Sequence, residues 1–455
     1  MKRRFFLKNL AAATVAASYT PLEAVAAPTA NKIQIQSFKT AYEKEMLKGK
    51  FGFKGNYLTE LWQIVSKIKS AKGNTGLGLA TQSVLYADAE LFAKHSEEEG
   101  NNFMYRLTQE ALKIATQKTF TTPIELLDKI LPEVHERGKA ITEKQDLDIN
   151  FIYNSLVSID NAAWVLYARE NGFRNFDAMI PAAYKKALSN HNKKLALLFL
   201  ATYNMPVTDI ITAVTDGYFV IKIKTGQPGT QEEMLQKDMA RLTEIHNALK
   251  GIRTASTPTG KLFYTMDANG RYEKKETLAR YLDHAKKIGA FDQILVYEEP
   301  LAMNNEENVA GLGLRIGADE SIHSEADALK RIDQGYGAMV LKGIAKTLSE
   351  SMKIAKLAYD RNIPCLCADL TVNPILIGWH KNLAARLQPF PKLKMGLMET
   401  NGNINYANWN NMLQYHPLYG KEWTKIKNGS FELTDDFYRT SGGILLRSEH
   451  YEKMT

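Results

Sequence analysis

The sequence predicts an α/β protein, a (β/α)8 barrel preceded by an α+β capping domain that the C-terminal segment completes. Three observations predict it. From about Lys194 onward, short β-branched apolar runs alternate with longer segments of helical period, eight runs in all. That rhythm fills roughly 210 residues, the size of one barrel. The preceding chain, from residue 28, has a different texture: one early run with alternating Ile and Gln, then long patterns rich in Leu, Ala, Glu and Lys.

Taken in order, residues 2–8 read Lys-Arg-Arg-Phe-Phe-Leu-Lys, followed by a short apolar stretch from Leu10 to Ala17 and then Ala24-Val25-Ala26. This resembles a twin-arginine export signal, removed near Ala26, and implies contact with that export machinery and a periplasmic protein. The apolar run is too short to span a bilayer, which takes about 20 residues, so stable membrane insertion is not expected. The cap is expected over residues 28–190, with one strand at Ile33–Phe38, and a polar stretch, Asn190-His-Asn-Lys-Lys, leads into a barrel over 191–402. Its strands are expected at Leu195–Thr202, Tyr218–Thr225, Leu262–Asn269, Ile294–Glu299, Leu314–Glu320, Ala338–Lys342, Cys365–Leu370 and Leu393–Glu399. Between the second and third, Met234, Met239, Leu242, Ile245 and Leu249 recur at near-helical spacing, and Leu348–Ala358 repeats the pattern later. An open doubly wound sheet is disfavoured because Gly311-Leu-Gly313 precedes a strand, the wrong context for a dinucleotide fingerprint. Residues 403–455 are expected to pack back on the cap.

Composition narrows the class further. The chain is 45% hydrophobic and 24% charged, an ordinary globular balance. Its formal charge of +8 invites a nucleic-acid reading, but Lys2, Arg3, Arg4 and Lys8 against Glu23 place +3 of it in the export segment. The rest is dispersed, so no nucleic-acid partner is expected. Self-association stays open. Two cysteines, Cys365 and Cys367, exclude a disulfide framework and read as small packing residues, since no basic neighbour favours a thiolate.

Strands buried on both faces should end in apolar residues, because an unpaired ion inside a barrel is costly. Five strands break this rule at their C-terminal ends, where barrel enzymes build their sites: Lys222-Ile-Lys224, Asp267-Ala-Asn269-Gly270, Glu298-Glu299-Pro300, Asp319-Glu320-Ser321 and Lys342. Alternation puts Lys222 and Lys224 on one face and sets Asp267, Glu298 and Asp319 side by side on consecutive strands. Three carboxylates with room for water and substrate oxygens suit Mg²⁺. The second and sixth strands are opposite in an eight-stranded barrel, so Lys224 and Lys342 should face each other across a small-molecule carboxylate. The alternative is that three lysines merely neutralise three acids. Glu299 and Glu320, of opposite parity, read as supporting or helix-capping groups, and Asn269 as a supporting or loop residue.

These motifs, in this order and covering most of residues 150–400, resemble the enolase superfamily in its mandelate racemase, muconate-lactonizing-enzyme and dipeptide-epimerase branch. The segment Ser158-Ile-Asp-Asn-Ala-Ala-Trp164 is similar to the helix that leads into the barrel there. The resemblance implies a Mg²⁺-dependent enzyme, with Mn²⁺ as a substitute, that abstracts the proton next to a carboxylate to give a metal-stabilised enediolate. It implies Lys224 and Lys342 as acid/base groups on opposite faces of the substrate, Lys222 as helper, and Asp267, Glu298 and Asp319 as metal ligands. Charge on Lys222 and on the metal should lower the pKa of Lys224.

Substrate identity rests on less. Dipeptide epimerases hold the substrate ammonium with Asp-x-Asp after the eighth strand; this chain has Glu399-Thr-Asn401 there, which makes Glu399 a substrate contact with a weakened hold on an ammonium. Asp369 shares parity with both cysteines and reads either as a substrate contact beside Lys342 or as a loop cap. His323 reads as a helix-start residue, with substrate contact as the alternative. The favoured reaction is racemisation or epimerisation of a dipeptide or amino-acid derivative; the alternatives are an acid-sugar dehydratase or cycloisomerase, and a barrel that only binds ligand.

Overall fold

An antiparallel sheet opens the described chain, which in this computed structural model comprises residues 31–53 and 56–455. The twin-arginine-like segment therefore lies outside the described residues. Strands β1 (Ile33–Phe53), β2 (Asn56–Ser70) and β3 (Thr75–Gln82) form a meander, and β4 (Thr119–Phe120) pairs with the start of β1. The expected single strand at Ile33–Phe38 is thus corrected to a four-stranded sheet. Helical-looking apolar spacing in β2 hid its alternation, and glycines in β3 removed its apolar signal. Those glycines have a packing reason. A Cβ on Gly76 would lie 2.0 Å from the Ala162 carbonyl oxygen, and one on Gly78 would lie 2.2 Å from that of Ser158.

The element they approach is α3 (Ile149–Asn171), buried along most of its length, capped by Asp148 and stopped by Gly172 in the left-handed conformation. It packs with α1 (Glu97–Thr116), capped by Ser96 with acids in its first turn, and α2 (Pro123–Thr142), capped by Thr122. Its Asp160 accepts from the backbone N–H and hydroxyl of Ser349, and Trp164 donates to the same hydroxyl, 3.1 Å away. The segment singled out by its resemblance therefore ties the cap to the barrel.

Eight parallel strands follow: β5 (Lys194–Ala201), β6 (Val220–Lys224), β7 (Phe263–Asp267), β8 (Ile294–Glu298), β9 (Ile316–Ala318), β10 (Ala338–Leu341), β11 (Cys365–Cys367) and β12 (Gly396–Glu399). They pair in chain order, and β12 closes on β5 through Gly396↔Leu195 to Glu399↔Leu198. The intervening helices are α4 (Val207–Thr215), α5 (Gln231–Leu249), α6 (Lys275–Lys287), α7 (Glu325–Asp333), α8 (Leu348–Asp360) and α9 (Pro374–Arg386). Sequence dictates several of their starts: Thr230 and Glu233 form a capping box for α5, and Asn373 followed by Pro374 begins α9. The alternation breaks once. Between β8 and β9 the chain is irregular, because Asn304, Asn305, Gly311 and Gly313 interrupt any helical apolar period.

The C-terminal segment divides between the two layers. Tyr406 bridges to Leu47, His450 meets Glu43 at 2.8 Å and Lys67 meets Glu452 at 2.7 Å, all on the cap sheet. Further on, β13 (Ser430–Glu432) pairs antiparallel with β5 of the barrel. Residues 403–455 thus contact barrel as well as cap. Among the described residues, no helix is long and apolar enough to cross a membrane.

Candidate active site

Register sets the charged side chains at one level. Lys224 is opposite Asp267, Asp267 opposite Glu298, and Glu298 opposite Gly317, two residues before Asp319. Lys222, Asp267, Glu298, Asp319, Lys342 and Glu399 are all buried. Lys222 Nζ lies 3.0 Å from Asp267, 3.0 Å from Glu298 and 3.1 Å from Glu399. Lys224 Nζ lies 2.6 Å from Asp267 Oδ2 and donates to Asn269 Oδ1 at 2.7 Å. Lys342 pairs with Asp319. All six predicted metal and lysine positions therefore meet at the C-terminal ends of their strands, joined by Glu399.

Their supports are also local. Asn269 donates from its backbone to Asp267 Oδ1 and from its side chain to Glu320, which places both at the site's edge. Glu299 accepts from the backbone N–H groups of Asp319 and Ser321 at 2.6 and 3.2 Å and so fixes the turn that presents Asp319. Asn269, Glu299, Thr347 and Thr371 all have positive φ, at 46°, 34°, 68° and 57°, and each lies just beyond a barrel strand. Non-glycine residues in that conformation concentrate backbone strain at the functional end of the barrel.

Asp369 lies beside Glu399, its Oδ2 accepting the Asn401 backbone N–H and its Oδ1 buried without a hydrogen bond. Glu399 is held by Lys222 and by the Asn401 amide at 2.9 Å, so its oxygens are engaged within the protein. His323 lies just before α7, 3.0 Å from Asn150 of the cap. Both cysteines are buried, and burial pushes the Cys365 thiol up to about 12. Two residues had no sequence signal. Tyr86, from the cap, places its ring 5.3 Å from Lys342 Nζ. Lys346, one turn past Lys342, donates to the carbonyls of Asp319 and Ile322 at 2.6 and 2.8 Å.

Electrostatics follow from this packing. Burial alone would lower the pKa of Lys222 and Lys342, but the surrounding carboxylates more than offset it and hold both well above the ordinary lysine value. Asp267 is held low against its burial by Lys222 and Lys224, and Asp319 by Lys342 and Lys346. Glu298 is pushed well up by burial and by its neighbours Asp267 and Asp319. A carboxylate crowded by two others is a place where another cation would be favourable, and Asp319 Oδ1 is buried with no hydrogen bond. The donors are all hard oxygens, as Mg²⁺ requires. Among the described residues, no three or more His, Cys, Asp or Glu groups are already spaced as a cage, because the lysines stand among the oxygens.

A closed parallel barrel under an antiparallel cap, with acids and lysines at its C-terminal strand ends, defines the enolase-superfamily arrangement. Residues 208–436 match the enolase C-terminal domain-like family, and the chain belongs to that family. Solved structures with the same fold include a mandelate racemase/muconate lactonizing enzyme from Roseiflexus sp., 15% identical, covering 90% of this chain and 97% of that one with a TM-score of 0.60. A dipeptide epimerase from Enterococcus faecalis V583, complexed with Mg and the dipeptide L-Leu-L-Tyr, is 17% identical over 88% and 97% of the two chains, with a TM-score of 0.58. A racemase from Streptomyces coelicolor A3(2) with bound magnesium is 15% identical over 88% and 94%, again with a TM-score of 0.58. No curated protein matches the chain in sequence.

Proposed function

We propose that the protein moves a proton at the carbon next to a substrate carboxylate, as a racemase or epimerase of a dipeptide or amino-acid derivative. The observation that carries this reading is the pair Lys224 and Lys342, at the ends of the second and sixth strands of a closed eight-stranded barrel. Each is paired with a carboxylate that would also serve a metal. Asp267, Glu298 and Asp319 would hold one Mg²⁺, for which Mn²⁺ would substitute. That cation supplies positive charge against the negative charge that builds on the substrate carboxylate as its α-proton leaves.

This chain's own residues do the rest. Lys224 takes the proton on one face and Lys342 delivers one on the other, each as a free amine when it acts as base. Asn269 orients Lys224, Lys222 balances Glu399 and Glu298, and Tyr86 walls the Lys342 side. Incubation with Mg²⁺ and candidate dipeptides in ²H₂O tests the reading: deuterium should enter the α-carbon without loss of water. A 2-keto product would overturn it in favour of elimination from an acid sugar. That second reading is supported by Asp369, whose carboxyl is pushed up to about 7 by burial and by Glu399 and so could protonate a leaving group.

The Arg3-Arg4 segment makes a periplasmic address part of the proposal. Cell fractionation, with Arg3→Lys/Arg4→Lys as the export-defective control, tests it.

A further inference from the structure

Beside the barrel mouth, past the end of β12 at Thr400, α9 and the C-terminal segment line a cavity of about 430 Å³, within the range of small-molecule sites. Its walls are apolar and aromatic, with Ile377 of α9, Trp409 and Phe431 among them. Into this setting α9 presents Lys381, only 4% exposed. Its Nζ donates to the Trp423 carbonyl at 2.6 Å and lies 3.9 Å from the centre of the Phe431 ring. Among the described residues it forms no ion pair. A buried ammonium held only by a carbonyl and a ring face is far less compensated than one facing a carboxylate.

Two further polar groups of the cavity offer donors to an anion, while Asn403, which also lines it, brings an amide whose Oδ1 has no hydrogen bond. Thr400 is buried and its hydroxyl has no hydrogen-bond partner. His416 is buried and accepts the Leu418 backbone N–H on Nδ1 at 3.1 Å, so its proton sits on Nε2. Burial and the Lys381 charge lower His416 to about 3, which keeps it a neutral donor. Lys425 at the rim is paired with exposed Glu422 at 3.2 Å, and among the described residues no acidic side chain lines the cavity.

We propose that this cavity is a second ligand site, distinct from the barrel mouth, that takes a monocarboxylate with an apolar, ring-sized body. The carboxylate sits against Lys381, with Thr400 and His416 as further donors, and the body lies between Trp409, Ile377 and Phe431. Burial lowers Lys381 to about 7, so an anion should bind with proton uptake above that pH and lose affinity as pH rises.

The experiment is titration of the full chain with 4-phenylbutyrate in EDTA, read by calorimetry and by Trp409 fluorescence, with Trp409→Phe identifying the signal. Saturable binding is expected, weakened at least about tenfold for 4-phenylbutanol, for 4-phenylbutylamine and in Lys381→Met. Lys224→Ala should leave it unchanged, which separates this site from the barrel mouth and from the proposed reaction. Equal binding of the amine, loss in Lys224→Ala but not in Lys381→Met, or no binding at millimolar concentrations would each overturn the proposal. Should Lys381→Met not fold, the pH dependence and the two uncharged or cationic analogues decide on the unmodified chain.

Discussion

Two buried lysines of this molecule live in opposite environments. Lys222 stands among three carboxylates and is held charged. Lys381 faces a carbonyl and a ring and is driven toward neutrality by burial alone. The difference teaches that burial does not by itself set a lysine's behaviour; the number of acids brought within reach does. At the barrel mouth, removal of one charge exposes several others. In the α9 cavity, removal of the one charge relieves a cost.

The largest effects should come from the mouth. Lys224→Ala and Lys342→Ala should each cut α-proton exchange by about a thousandfold, measured by NMR in ²H₂O; if both exchanged at the unmodified rate, the two-lysine reading would fail. Chelation of divalent cations should abolish turnover, and added Mg²⁺ should restore it. Lys222→Met should destabilise the fold by roughly 3–5 kcal/mol in urea unfolding, because Asp267, Glu298 and Glu399 lose their shared counter-charge.

The cavity lysine should behave the other way. Lys381→Met should be neutral or stabilising by about 1 kcal/mol at pH 7, since an apolar group replaces an ammonium with no acidic partner. The pH dependence sharpens the contrast. A lysine whose folded-state pKa falls from 10.5 to about 7 binds fewer protons folded than unfolded between those values, so its contribution to stability rises with pH across that window. Chemical denaturation at several pH values should show this rise in the unmodified chain and lose it in Lys381→Met. An identical slope in both would mean that another group is responsible.

What could be read from sequence follows from how loudly each residue breaks its local pattern. Lys222, Lys224, Asp267, Glu298, Asp319 and Lys342 end apolar strands, where packing alone would favour another apolar side chain, and the structure gathers them. Glu399 was legible as a strand-end acid, but its pairing with Lys222 across the barrel was not, because sequence carries parity and not reach. Tyr86 was invisible, since its place over Lys342 depends on how the cap seats on the barrel. The cap sheet was missed for a related reason: Gly76 and Gly78 serve the close approach of α3, and a residue chosen for its lack of a side chain leaves no periodic signal. Lys381 lay inside a helical pattern, where a lysine normally marks the solvent face.

The two flanks of β5 carry a consequence for how the chain assembles. One side of Leu195 is completed by Gly396 and the other by Phe431, so the first barrel strand to leave the ribosome is among the last to be satisfied. Its C-terminal half pairs early with β6, from Leu198 to Ala201, but the flank facing β12 stays an open, apolar edge until nearly the whole chain has been made, the kind that recruits foreign strands. Such long-range closure makes for slow, late-committing folding. Premature termination ahead of Gly396 would leave that edge bare, and the truncated product should accumulate as aggregate.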